Sequence, residues 1–212
     1  KDKFKEHFIE IKLVIVEELE NMEQYVKCNK VDFAINRSRN HIMGELLEQK
    51  GVRVFNSSSV TRIANNKGIT YEFLKDVVPF LAVKYGNEII ESKIENKGFE
   101  YPYVIKSCSG HGGSQVFLVN NRKEEEQAVK AMNGQEYVVQ QCCSDLGRDV
   151  RAYIIGNKII KAVLRTSTES FKSNYSLGGK VQEYTLNNEE KAMVERIVDK
   201  LPLDYAGIDF TF

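Results

Sequence analysis

Residues 103–119 read Tyr-Val-Ile-Lys-Ser-Cys-Ser-Gly-His-Gly-Gly-Ser-Gln-Val-Phe-Leu-Val. Two apolar runs, 103–106 and 115–119, flank a glycine-rich loop, Ser109-Gly110-His111-Gly112-Gly113-Ser114. Short runs rich in β-branched and aromatic residues, bounded by turn formers, read as strands. The loop therefore lies between strands, with no helix start behind it to present N-terminal amides, and no Gly-Lys-Ser or Gly-Lys-Thr follows it. A doubly wound dinucleotide domain and a P-loop are both excluded. Lys106 ends the first run, where a cation can face phosphate oxygens while loop amides donate and the glycines allow close backbone approach. Taken alone, the same pattern reads more simply as a strand-end lysine before a flexible turn.

C-terminal to this stretch the antiparallel character continues. Asn120-Asn121 marks a turn, residues 124–132 a short helix and residues 137–141 a strand. Residues 150–155 and 159–164 form a hairpin around Gly156-Asn157-Lys158, because Gly-Asn favours tight hairpin turns. Asn187-Asn188-Glu189-Glu190 reads as a capping box opening a helix to about residue 201, and residues 207–210 form a last strand. Toward the N-terminus the rhythm changes. Residues 4–26 carry a helical pattern, with residues 9–16 also compatible with a strand. A strand at 32–35, an amphipathic helix at 41–49 ended near Gly51 and a strand at 52–55 suggest a small parallel α/β layer. No internal repeat or low-complexity tract interrupts the 212 residues.

Thirty basic and thirty acidic side chains cancel. That balance argues against a general nucleic-acid or membrane-surface binder, and no apolar run approaches the roughly 20 residues that span a bilayer. No signal-peptide core follows the first residues. Cys28, Cys108, Cys142 and Cys143 show no metal-ligand spacing and suit reduced thiols in a cytoplasmic protein.

Other residues carry chemistry only in combination. Gln140-Gln141-Cys142-Cys143 closes a strand whose edge can read a nucleobase, or is simply a buried strand. In Gly147-Arg148-Asp149-Val150-Arg151, Asp149 can accept from sugar hydroxyls and Arg151 can fork onto a phosphate or carboxylate; the plain alternative is an exposed ion pair. Arg165 ends the hairpin, and Phe171-Lys172-Ser173-Asn174 with Gly178-Gly179 form a loop able to close over substrate, or an ordinary surface loop. Asp209 lies within an apolar strand, where a bound Mg²⁺ would compensate its burial, or a polar sheet face would make burial unnecessary. Asn36-Arg37-Ser38-Arg39-Asn40, before a helix, can bind an acidic group or act as a solvated cap. His7, His41 and His111 are scattered; only His111 is placed to touch phosphate.

The order of these pieces is more specific than any one of them. From about residue 35 to 212 the chain resembles the ATP-grasp superfamily, and within it the RimK-type ligases that join carboxylates to amines. The resemblance is carried above all by GRDVRAYIIGNKIIKAVLR (147–165), FKSNYSLGG (171–179) and LDYAGIDF (203–210). It implies an α+β ATP-grasp fold, two lobes around an ATP cleft, preceded by a small parallel α/β domain. The boundaries expected are 1–65 for that domain and 66–212 for the ATP-grasp region, with a small lobe at about 80–141 and a large lobe at about 142–212. Both ends are expected to be cut short, with further metal ligands, a Glu and an Asn, on a strand beyond residue 212.

The same resemblance implies roles. Lys67 and Lys106 reach nucleotide phosphate. Gly110, His111, Gly112, Gly113 and Ser114 form the flap over it. Gln140, Gln141 and Cys142 lie at the adenine, where a Glu and a bulkier residue are usual, so recognition there falls to the backbone. Asp149 and Arg151 take the ribose and substrate side; Arg165, Lys172 and Asn174 surround the transferred phosphate and the acceptor carboxylate. Asp209 is the first metal-binding acid. ATP and Mg²⁺ (or Mn²⁺) are the implied cofactors, with a carboxylate acceptor and an amine, an amino acid or peptide, as partners. Homo-oligomerisation is left open. The rival reading is an ATP-binding sensing or assembly module with weak turnover.

Overall fold

The computed structural model describes residues 6–7, 9–86, 99–113, 115–167 and 180–212. The chain divides into two compact units, Lys1–Ser58 and Ser59–Phe212.

In the first unit, strands β1 (Phe33–Ile35) and β2 (Arg53–Phe55) pair in parallel, Ala34 opposite Val54. Helices α1 (Met22–Cys28) and α2 (His41–Glu48) supply Val26, Met43 and Leu47 to a small core around the fully buried Val54. Asn40 caps α2 by accepting from the Met43 amide at 3.1 Å. Gly51 beyond it takes φ 77°, the left-handed conformation expected there. The long helix expected over residues 4–26 is not formed within the described residues. Residues 9–15 have no regular structure, a single 3₁₀ turn covers Val16–Glu18, and α1 starts afresh after Asn21. Ile9, Ile11, Val14, Ile15 and Val16 are β-branched and lose side-chain freedom in a helix.

The second unit holds two four-stranded antiparallel sheets. The first, in the order β3-β6-β4-β5, uses β3 (Val83–Tyr85), β4 (Tyr103–Ser107), β5 (Val116–Val119) and β6 (Tyr137–Gln141). Alternation sorts its faces. Tyr103, Ile105, Tyr137 and Val139 pack with Ala128 and Met132 of helix α5 (Arg122–Met132). Lys106 and Gln140 therefore project from the face opposite that helix.

The second sheet runs β10-β7-β8-β9, with β7 (Arg148–Ile155), β8 (Lys158–Thr166), β9 (Lys180–Tyr184) and β10 (Tyr205–Thr211). Its hairpin turns through Gly156 (φ 54°) and Asn157 (φ 65°), the paired left-handed geometry expected of Gly-Asn. Helix α6 (Asn188–Lys200) opens with the expected capping box: the Asn187 side chain accepts from the Glu190 amide and Glu190 accepts from the Asn187 amide. Val150, Ala152, Ile154 and Leu164 face Val194, Ile197 and Val198 of α6 across the main core.

Two helices and two strands had no sequence reading: α3 (Ser58–Ala64), α4 (Lys67–Leu74), β3 and β9. Helix α4 links both sheets. Leu74 joins the main core, while the Gly68 carbonyl near its start accepts from the Tyr85 hydroxyl of β3 at 3.0 Å.

Candidate active site

The first cluster of predicted residues forms where α4 meets the glycine loop. Asn66 caps α4 by accepting from the Ile69 amide at 3.1 Å, which places Lys67 at the first helical position. The Lys67 amide then donates to the Cys108 carbonyl at 2.9 Å, and its ammonium donates to the Gly110 carbonyl at 2.5 Å. Lys106 sits on the adjacent strand and donates to Gln140 Oε1 at 2.6 Å. Burial, and then the positive charge of Lys67, pull the Lys106 pKa below its usual 10.5. Two lysines thus share one site at the root of the loop, a crowding of positive charge that a polyanion relieves.

The loop is anchored at its ends. The Ser107 amide donates to the Gln115 carbonyl at 3.1 Å, and Gly110 is so close to Ser107 and Gln115 that a Cβ would lie 3.1 Å from both side chains. Gly112 and Gly113 take φ 59° and 78°, so the tip follows a path that L side chains resist. His111 at the tip is exposed. Ser114 lies outside the described residues. Beyond Gln140, Gln141 points to solvent and its amide donates to the Ala82 carbonyl at 3.0 Å. Cys142 is half-buried near Lys106, and burial raises its thiol pKa.

The second cluster lies on the outer face of the other sheet, where register places Asp149 opposite Arg165 and Arg151 opposite Asp209. Arg165 forks onto Asp149 with two bonds of 2.6 Å, and both side chains are buried. Arg151 forks onto Asp209 in the same way, Nε to Oδ1 and Nη2 to Oδ2, each 2.6 Å. Arg165 Nη2 also lies 3.1 Å from Asp209 Oδ1. The result is a charge-alternating chain, Asp149–Arg165–Asp209–Arg151, across three strands. Asp149 is not in the exposed pair with Arg151 that the sequence also allowed; two residues along a strand share a face, and each finds its partner across the ladder instead. Bonding to Asp209 holds the Arg151 pKa above its ordinary value. Lys172 and Asn174 lie outside the described residues.

Asp209 offers the hard oxygen donor that Mg²⁺ takes together with nucleotide phosphates. Among the described residues no three His, Cys, Asp or Glu side chains gather into a metal site. A lone carboxylate of this kind could hold a cation only together with other donors, such as the phosphates of a bound nucleotide. Sequence reasoning missed two positions that shape these clusters. Asn66 had an N-cap signal, a short polar residue before Lys67. Gly207 had none; a Cβ there would lie 3.2 Å from Arg151 Cδ and Nε.

Residues 64–212 match the family model described as the RimK-like ATP-grasp domain. The uncharacterized protein MG011 of Mycoplasma genitalium is 33% identical over 198 residues, covering 93% of this chain and 67% of that protein. A probable alpha-L-glutamate ligase of Haemophilus ducreyi is 26% identical over 167 residues, 76% of this chain and 54% of the relative. Among solved structures, the RimK domain ATP-grasp protein of Sphaerobacter thermophilus superposes with a TM-score of 0.68 at 21% identity, covering 86% of this chain and 69% of that one. The chain belongs to the RimK-like ATP-grasp family. It spans about half the length of the Haemophilus ligase.

Proposed function

We propose that this chain is the ATP-binding part of an ATP-dependent ligase that joins a carboxylate to an amine, with an amino acid or peptide among its substrates. The observation that carries this reading is the convergence of Lys67 and Lys106 at the root of the glycine loop, inside the segment that matches the family. In the reaction a substrate carboxylate attacks the γ-phosphorus of ATP, releasing ADP and leaving an acyl phosphate. The amine then attacks the acyl carbon and expels phosphate. Phosphoryl transfer of this kind demands charge neutralisation and alignment more than covalent help from the protein.

The residues divide the work by position. Lys67 and Lys106 neutralise the phosphates, and the loop from Gly110 to Ser114 closes over them and shields the acyl phosphate from water. Gln140, Gln141 and Cys142 line the adenine edge. Arg165 faces the transferred phosphoryl group, with Asp149 orienting its guanidinium rather than meeting the ribose, since Arg165 already holds both Asp149 oxygens. Arg151, Lys172 and Asn174 meet the acceptor. Mg²⁺ or Mn²⁺ at Asp209 would add Lewis-acid stabilisation to the transferred group. The two sheets correspond to a small lobe at about 80–141 and a large lobe at about 142–212, with residues 1–65 as a preceding domain. Free cysteines and the lack, among the described residues, of a helix long and apolar enough to cross a membrane support a cytoplasmic setting.

The test uses the natural protein with ATP, Mg²⁺ and pooled amino acids and peptides, adding hydroxylamine to intercept an acyl phosphate as a hydroxamate. ADP and hydroxamate formation that require one carboxylate support the ligase. Saturable ATP binding with no hydroxamate for any carboxylate would favour the sensing module.

A further inference from the structure

Both Asp209 oxygens are engaged by arginine: Arg151 donates Nε to Oδ1 and Nη2 to Oδ2, each at 2.6 Å, and Arg165 Nη2 lies 3.1 Å from Oδ1 as an ion pair. The two arginines are not equally held. Arg165 is buried and already committed to Asp149 through a second fork, whereas the Arg151 side chain is 34% exposed and, among the described residues, forks onto Asp209 alone. Gly207, two residues before Asp209, leaves open the strip of strand over which the Arg151 stem runs. A cation drawn to the Asp209 oxygens competes with the guanidinium already forked onto both of them, and Arg151 is the less firmly held of the two arginines.

We infer that Arg151 and a nucleotide-bound divalent cation compete for the Asp209 carboxylate, so that cation arrival releases the Arg151 guanidinium to receive an anionic substrate group. This rests on the proposed metal role of Asp209 and adds an order to it. Before the cation, Arg151 is neutralised and has little field to offer a second anion. Afterwards its planar fork is available for a carboxylate or phosphate. Nucleotide with metal is therefore taken first and the acceptor second, and Asp209 is spared an unpaired charge in either state.

The test is calorimetric titration of MnCl₂ into the ADP-saturated chain. Removing a competitor should tighten the metal: Arg151→Ala is expected to lower the Mn²⁺ Kd about three- to tenfold, the range a displaced charge-assisted bond gives at a half-exposed site. Gly207→Ala, which keeps the charge but crowds the Arg151 stem, should shift it in the same direction by less. An Arg151→Ala Kd equal to or weaker than wild type overturns the exchange. Asp209→Asn separates the layers: unchanged Mn²⁺ binding in that variant, or no ADP binding at all, defeats the metal reading and the exchange together. Weakened binding in Asp209→Asn without tightening in Arg151→Ala defeats the exchange alone. Should Arg151→Ala fold poorly, the Arg151 Nε–H signal of the wild-type chain gives the same answer by NMR. It should lose protection from solvent exchange when Mg²⁺ and ADP are added, and retained protection contradicts the inference.

Discussion

Lys106 shows how one side chain can carry both a cost and a function. Its lowered pKa means that, between that value and 10.5, the unfolded chain binds more protons than the folded one. Stability therefore rises with pH through this window, because the penalty of the buried charge is complete below the folded pKa and gone above 10.5. A phosphate opposite the ammonium favours the charged form, so at pH near or above the lowered pKa nucleotide binding takes up a proton. ADP affinity is expected to fall as pH rises through the lowered pKa, and Lys106→Met should flatten that profile in a calorimetric pH series. The Asp149–Arg165 pair makes a different demand. Both groups are buried, so Arg165→Met leaves Asp149 an uncompensated charge and should cost about 3–5 kcal/mol in urea unfolding. Asp149→Leu combined with Arg165→Met should recover part of that loss. At this scale Lys106 could be singled out because it ends an apolar run before the glycines, and Asp209 because an acid within an apolar strand calls for a partner; Lys67 came only from the resemblance of its motif. The pairing of Asp209 with Arg151 was not legible, since it depends on the register of two strands 58 residues apart in sequence.

Elements were legible where local chemistry and global packing agree. The hairpin from Arg148 to Thr166 is signalled by its turn, and α6 by its capping box. Asn157 serves the hairpin twice, holding φ 65° and accepting from the Leu203 amide at 2.7 Å. Asn157→Ala should therefore cost about 1–2 kcal/mol in thermal unfolding, from a left-handed alanine and a lost bond. Asn157→Gly, which keeps the backbone but not the bond, should cost less. Helix α4 was illegible because Lys-Gly-Ile-Thr-Tyr-Glu-Phe-Leu mixes a glycine with β-branched and aromatic residues, a composition of low helix propensity. It is helical because Asn66 caps it and because its two ends are packed on different sheets. Strand β3, three residues long, offers too little alternation to be recognised and exists through its pairing with β6.

At the scale of the molecule, the second unit contains both charge clusters and the whole family match. Expressed alone, residues 59–212 should fold cooperatively and bind ADP with the affinity of the full chain, as judged by titration; loss of binding would show that the first unit contributes to the nucleotide site. The antiparallel, hairpin-rich character of the second unit could be read from the alternation of short strands and turns and the ATP-grasp fold from the resemblance, whereas the joining of the two sheets by α4 could not, because it rests on long-range packing. The central claim is that the phosphates of ATP lie against Lys67, Lys106 and the glycine loop. Calorimetric titration of wild type and Lys106→Met with Mg²⁺ and ATP tests it most directly. Saturable binding that weakens at least about tenfold in the variant is the expected result, since a charge-assisted bond contributes roughly 1.5–3 kcal/mol. Equal affinity in the two proteins would contradict it.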